Sequence, residues 1–290
     1  MEKSFSIDGE NFTFVKTRMY VPVSVYRGEK SYLRIGTAEL IKKDAAIHKQ
    51  FLQFGFPCPR IIREGTISGY SYYIEESVGD RHFGEIFRSD IAEHGVISGE
   101  HFKKFLELGE RFINAQLSSM RDAALEKDFW LGIHMDYALY ELPALKDMLR
   151  VAFNKSWQRI SVFPAVLTHG DFNAFNQLEH GVIDTDSKYA FWGPAGYDAV
   201  TAMVQPSFFP KHGDYEHLQL YDFSREQMQE YLSMADALFE KHNLQKPSDF
   251  VPDFTFCRSV WSVVRMEKVP KLQAWRYKAF EEAVRGYVKD

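Results

Sequence analysis

The stretch LTHGDFNAFNQLEHGVIDTDS, residues 167–187, carries His169, Asp171, Asn176 and Asp184 at close, fixed spacing among apolar residues. Asn176-Gln177-Leu178 predicts a short strand, Glu179-His180-Gly181 a turn, and Val182-Ile183 a second strand that ends at Asp184. Such a hairpin brings Asn176 and Asp184 close together. A turn aspartate or asparagine taken alone is a turn former; the joint pattern, H-G-D-x-x-x-x-N followed by apolar-apolar-Asp, is far more specific.

An amide and a carboxylate, with no thiol beside them, form an all-oxygen donor pair of the kind that suits magnesium rather than zinc. Magnesium held by one or two protein groups takes its other ligands from water and substrate phosphate. Asp171, at the start of the loop, is suited to hold a substrate hydroxyl and accept its proton in phosphoryl transfer, where positioning and charge stabilisation supply most of the catalysis. His169 is expected to hold the loop in shape.

The bulk numbers agree with a globular protein. The 290 residues are enough for two modest domains or one large one. A net charge of −5 argues against a nucleic-acid partner bound through phosphate neutralisation. Cys58 and Cys257 suit neither a disulfide framework nor a zinc cluster, which predicts a reducing, cytoplasmic setting. No apolar run is long enough for a membrane helix, so no membrane partner is expected.

The texture of the chain changes once. FTFVK (12–16), VPVSVYR (21–27) and SYLRIG (31–36) read as strands, and 38–54 as a helix stopped at Gly55 and the prolines Pro57 and Pro59. RIIREGTI (60–67) and YSYYIEES (70–77) read as two strands joined by Ser68-Gly69. The order is β-β-β-α-β-β. Beyond Val78-Gly79 the texture is helical. Phe102, Phe105, Leu106, Phe112, Ile113 and Leu117 share one helical face, and Ser224 with Gln227 makes a capping box. The opening stretch is an island of strand and turn among these helices.

HGDFNAFN followed by GVIDTD resembles the active-site signature of the aminoglycoside phosphotransferase and choline kinase group, relatives of the protein kinases. The resemblance implies Asp171 as the catalytic aspartate, Asn176 and Asp184 as magnesium ligands, and Asp186 as a possible acidic assistant. GPAGYDAVTA (193–202) resembles a second stretch of that family, and by this match Asp198 braces the catalytic loop. FGFPCPRII is similar to the segment that follows the helix of the family's N-lobe.

By the same resemblance Arg34, on the third strand, holds the nucleotide phosphates. A carboxylate of the following helix pairs with it, Asp44 by spacing and Glu39 as the fallback. Arg34 is expected to face the cleft as an exposed residue that adds little to folding. The loop KTRMYVP (16–22) has no glycine, with Thr17 or Arg18 the residue near phosphate. EESVGD (75–80) is the expected hinge, bonding adenine through the backbone of Glu75 and Ser77.

The expected architecture is α+β: a two-lobed protein kinase-like fold, with a small β-rich N-lobe (1–77) and a larger, mainly helical C-lobe (78–290). The expected activity is ATP- and magnesium-dependent phosphorylation of a hydroxyl on a small-molecule acceptor such as an aminoglycoside, amino alcohol or sugar. The rival is an inactive nucleotide-binding module. Acidic candidates for a cationic acceptor are Asp186, Asp214 and Glu216.

Overall fold

The computed structural model describes residues 3–18, 22–121, 125, 138–140, 142–185, 187, 189–209, 221–264 and 270–289. Asp186, Asp214 and Glu216 lie outside the described residues, so the acidic-acceptor expectation has no structural counterpart here.

Six strands form one antiparallel sheet: β1 (Ser4–Ile7), β2 (Glu10–Thr17), β3 (Ser24–Arg27), β4 (Ser31–Gly36), β5 (Ile61–Ile67) and β6 (Tyr70–Glu76), in the order β1-β2-β3-β4-β6-β5. The β1 strand adds to the order read from sequence. Its hairpin turns at Asp8-Gly9, with φ 51° and 84°, the two positive angles of a type I′ turn. Ser68 and Gly69 repeat the device between β5 and β6, at φ 50° and 81°.

The sheet buries both faces. Phe12, Tyr26, Leu33, Ile35, Tyr72 and Ile74 form one apolar cluster. On the other face, α1 (Ala38–Gln53) lays Ile41 and Ala45 against Val23 and Tyr73. Strand alternation therefore sends Leu33 and Ile35 to a core and turns Tyr32 and Arg34 the other way.

After the sheet come α2 (Phe83–His94), α3 (Gly99–Ser118), α4 (Lys146–Ile160), α5 (Tyr197–Val204), α6 (Arg225–Lys241), α7 (Val251–Val264) and α8 (Pro270–Lys289). Ser224 caps α6 as its sequence predicts: the Gln227 N–H donates to Ser224 Oγ at 3.2 Å and Gln227 Oε1 accepts from the Ser224 N–H at 3.0 Å. Among the described residues, no helix is long and apolar enough to cross a membrane.

Two small sheets lie among the helices. Strand β7 (Ala165–Thr168) pairs with β10 (Phe191–Pro194), and β8 (Gln177–Leu178) with β9 (Gly181–Val182). The predicted hairpin is present, with Gly181 in its second strand rather than in its turn. The reason is crowding: a Cβ on Gly181 would come within 2.8 Å of the Pro57 carbonyl oxygen. The backbone N–H groups of His180 and Val182 donate to the carbonyls of Val78 and Pro57 at 3.1 and 2.7 Å. The hairpin is thus stitched to the segments on either side of β5 and β6.

Candidate active site

The loop from His169 to Asn176 sits on α3. Phe172 stacks on Phe112, with ring centroids 3.9 Å apart, and Gln116 Nε2 donates to the Leu167 carbonyl and to Asp198 Oδ2, at 3.2 and 2.8 Å. Asp198, fully buried in the first turn of α5, also accepts the backbone N–H of His169 at 2.7 Å and of Gly170 at 3.1 Å. Burial holds its carboxyl above the ordinary range, against the opposing pull of these N–H donors. Gly170 has φ 79°, and a Cβ there would meet the Tyr189 carbonyl oxygen, so this turn of the loop requires glycine.

His169 ties the loop to the hairpin. Its Nε2 lies 2.8 Å from the Ile183 carbonyl, and its Nδ1 accepts the Asp171 N–H at 3.2 Å. A carbonyl on one side and an N–H on the other fix the neutral tautomer with the proton on Nε2.

Asp171 is held from three directions. Its Oδ1 accepts from Asn173 Nδ2 at 3.0 Å and Arg258 Nη2 at 2.7 Å, and its Oδ2 accepts from Asn176 Nδ2 at 3.2 Å. Asn176 also donates to the Asp171 carbonyl at 2.7 Å. With its nitrogen so engaged, Asn176 keeps its amide oxygen as the atom a cation would take.

Asp184 follows β9 in the left-handed region, at φ 61°, a conformation that aspartate tolerates better than most residues. Its Oδ1 meets Arg18 Nη2 at 3.1 Å and both terminal nitrogens of Arg34 at 3.2 Å. Burial pushes its carboxyl up, but Arg18 and Arg34 more than offset this and hold it well below the usual carboxylate range.

Arg34 also donates from Nε to Glu75 Oε1 at 2.7 Å. The partner is on a neighbouring strand: Arg34 faces Tyr73 across the β4–β6 ladder, and Glu75 faces Tyr32. This corrects the expectation that the carboxylate comes from α1. Asp44 accepts from the Ser187 backbone N–H at 3.3 Å and from its hydroxyl, and Glu39 is exposed in the first turn of α1. One helical turn beyond Asp44, His48 Nδ1 lies 2.9 Å from the Thr185 hydroxyl and Nε2 donates to the Pro59 carbonyl at 2.6 Å. Helix α1 therefore grips the segment after Asp184 rather than Arg34.

Arg34 is 4 % exposed, not the exposed arginine expected. Of the two loop candidates, Arg18 reaches the site while Thr17 lines a separate cavity on the sheet. At the hinge, the Ser77 N–H donates to the Lys30 carbonyl at 2.9 Å, so this donor is not free to bond a base as expected.

A cavity of about 140 Å³ lies between sheet and hairpin, with Val15, Val25, Arg34 and Glu75 on one side and Leu178, Ile183 and Asp184 on the other.

No protein-family sequence model matches the chain, and no curated protein matches it in sequence. Solved structures do match in shape. One is a thermostable mutant of the aminoglycoside phosphotransferase APH(4)-Ia in a ternary complex with ADP and hygromycin B. It is 13 % identical, with 94 % of this chain and 93 % of that one covered at a TM-score of 0.58. The chain has the fold of the aminoglycoside phosphotransferases and choline kinase-like proteins. A choline/ethanolamine kinase family protein from Mesorhizobium loti matches at 11 % identity, with 96 % and 92 % of the chains covered and a TM-score of 0.58. A gentamicin complex of APH(2")-IIa matches at 12 % identity, with 96 % and 91 % covered and a TM-score of 0.56.

Within this kinase-like fold, several site contacts carry no sequence signal. Arg258 lies far along the chain from Asp171 and meets it only because α7 packs behind the loop. Gln116 and His48 read as ordinary helix residues. Asn173 lies inside the quoted stretch, and its reach back to Asp171 is the habit of an Asx residue in a turn.

Proposed function

We propose that this protein is an ATP- and magnesium-dependent phosphotransferase that phosphorylates a hydroxyl of a small molecule, such as an aminoglycoside, an amino alcohol or a sugar. The observation that carries the reading is the convergence of Asp171, Asn176 and Asp184 at one edge of a cleft whose other wall supplies Arg18 and Arg34.

The residues present fit both groups. Asp184 and the amide oxygen of Asn176 form an all-oxygen donor pair, suited to magnesium completed by phosphate and water. Glu75, one of whose buried carboxylate oxygens has no hydrogen-bond partner among the described residues, lines the same cavity. In this reading Arg34 and Arg18 turn their cationic ends toward the transferring phosphates and hold them by paired N–H groups. Bound magnesium supplies charge neutralisation at the phosphates. Asp171 receives the acceptor hydroxyl and takes its proton, with Asn173, Asn176 and Arg258 fixing its angle. Asp198 and His169 keep the loop in register. The neighbours' ligands, hygromycin B and gentamicin, support a small-molecule acceptor for this chain.

One observation favours the rival, a nucleotide-binding module without turnover. Both carboxylate oxygens of Asp171 already accept hydrogen bonds, so an acceptor hydroxyl must share or displace one.

The deciding experiment combines a magnesium-dependent thermal shift with ATP and a screen of hydroxyl acceptors for ATP consumption. The enzyme gives a shift that needs magnesium, lost in Asp184→Ala, and acceptor-dependent turnover. A shift without turnover for any acceptor leaves the module; no shift excludes both.

A further inference from the structure

We propose that the six-stranded sheet carries a second ligand site, on the face opposite the cleft that Arg34 and Asp184 line, for an uncharged small molecule with a flat aromatic ring system and one hydroxyl or carbonyl group.

A cavity of about 520 Å³ lies on that face. It is larger than the cavity of about 140 Å³ in the cleft, and it falls within the roughly 300–1,000 Å³ of small-molecule pockets. The curl of the sheet makes it. Strands β1 and β5 stand at opposite ends of the strand order, yet Phe5 and Ile67 pack on one apolar cluster. Asp8, in the turn after β1, also forms an ion pair with Arg63 of β5. The sheet is therefore an incomplete barrel. The cavity lies at its mouth, bordered by Thr17 at the end of β2, Pro22 before β3, Thr37 before α1 and Ser68 in the β5–β6 turn. Barrel mouths are a recurrent place for ligands.

The pleat separates this cavity from the cleft. Ser24 and Ile35 are paired across β3 and β4 and line the cavity. Their chain neighbours Val25 and Arg34 are paired likewise and line the cleft. Successive residues of a strand point to opposite faces, so the two cavities stand back to back on the same strands.

The lining sets the chemistry of the ligand. Among the described residues, no carboxylate, ammonium or guanidinium borders the cavity, so a charged molecule would lose its water with nothing to replace it. Two rings with accessible surface border it, Phe5, half-buried on β1, and Tyr70, 52 % exposed on β6. Phe5 meets the buried Tyr26 edge to face, with centroids 5.0 Å apart, which fixes its plane. Such rings take a further ring in offset or edge-to-face contact. The polar side chains at the mouth are hydroxyls. Thr17 Oγ1 lies 3.1 Å from Ser24 Oγ, and Thr37 and Ser68 are exposed at the rim. A hydroxyl both donates and accepts, which suits a ligand with one polar group of either sense.

The test is calorimetric titration at pH 7 with 2-naphthol, which is uncharged with two fused rings and one hydroxyl, and with 2-naphthoate, its anionic counterpart. The wild-type protein should bind 2-naphthol saturably and at least tenfold more tightly than 2-naphthoate. Thr37→Trp, which puts a ring into the mouth, and Tyr70→Ala, which removes one, should each weaken 2-naphthol at least fivefold. Both positions are exposed, and Thr37 makes no side-chain capping bond to α1, so both variants should keep the wild-type melting temperature. Val15→Trp, at an exposed position that lines the cleft, should leave the affinity within about twofold. Absence of saturable 2-naphthol binding overturns the site. Equal affinity for 2-naphthoate overturns the uncharged class. Binding lost in Val15→Trp and kept in Thr37→Trp and Tyr70→Ala puts the probe in the cleft and overturns the site as well. If Thr37→Trp does not fold, Tyr70→Ala set against Val15→Trp decides.

Discussion

Arg258 Nη2 lies 2.7 Å from Asp171 Oδ1, and the arginine has no exposed surface. Its Nε donates to Gln205 Oε1 at 2.7 Å, its Nη1 to the Gly170 carbonyl at 3.3 Å, and its guanidinium lies over the Trp261 ring at 3.7 Å. Each of these contacts fixes the guanidinium plane. The proposed base therefore has a rigid cation as its back support.

Asp171→Asn should leave nucleotide affinity within about threefold and cut turnover by roughly 10²–10⁴-fold, the usual contribution of a general base. Arg258→Lys keeps a charge behind Asp171 but loses the fork. It should lower kcat by about tenfold with little change in nucleotide Kd. Turnover of Asp171→Asn within a factor of two of wild type, measured with the acceptor found by screening, removes the base assignment.

Arg34→Ala should weaken ATP binding at least tenfold, about 1.4 kcal/mol. It should also destabilise the protein without nucleotide, because it leaves the Glu75 carboxylate buried and takes one cation from Asp184. Breaking a buried ion pair from one side costs about 3–5 kcal/mol. Arg34→Lys should recover part of the affinity and less of the stability, since an ammonium cannot serve Glu75 and Asp184 with separate prongs. Parallel melting curves and titrations check both halves; an unchanged melting temperature in Arg34→Ala contradicts the buried-pair account.

Asp198→Asn replaces an acceptor of three N–H groups by a side chain with one oxygen and one NH2. At least one buried donor then faces another donor. Urea unfolding should show a loss of about 1–3 kcal/mol, and turnover should fall because His169 and Gly170 lose their anchor. Gln116→Ala should cost less, since both backbone donors to Asp198 remain.

Burial, with a smaller push from Glu75, raises the Cys58 thiol to about 12, and burial raises Cys257 too. At pH 8 the thiolate of Cys58 is then a fraction of roughly 10⁻⁴, too little for ready alkylation. Iodoacetamide at pH 8 should leave the folded protein unmodified by intact mass and label both cysteines after unfolding. Labelling of the folded protein at Cys58 would mean that the segment carrying Pro57 and Pro59 opens away from the β8–β9 hairpin.

The sequence by itself determined what is local or periodic. The alternation in SYLRIG sends Leu33 and Ile35 to a core and turns Arg34 toward the cleft. Ser68-Gly69 and the Ser224–Gln227 box work through contacts a few residues apart, so their residue types are enough. The quoted stretch specifies its hairpin, with Gly181 misplaced by one element because the crowding at Pro57 comes from a remote segment.

Only the tertiary structure decided who stands beside whom. Spacing along the chain offers Asp44, with Glu39 as the fallback, as the carboxylate for Arg34, whereas strand pairing puts Glu75 diagonally across the ladder from it and α1 aims Asp44 at Ser187. Arg258 reaches Asp171 from α7 across the packed core, a contact with no periodicity to betray it. Local patterns record the backbone's own preferences, whereas the charges that meet in a cleft are chosen by how separate elements pack, and that depends on the whole chain at once.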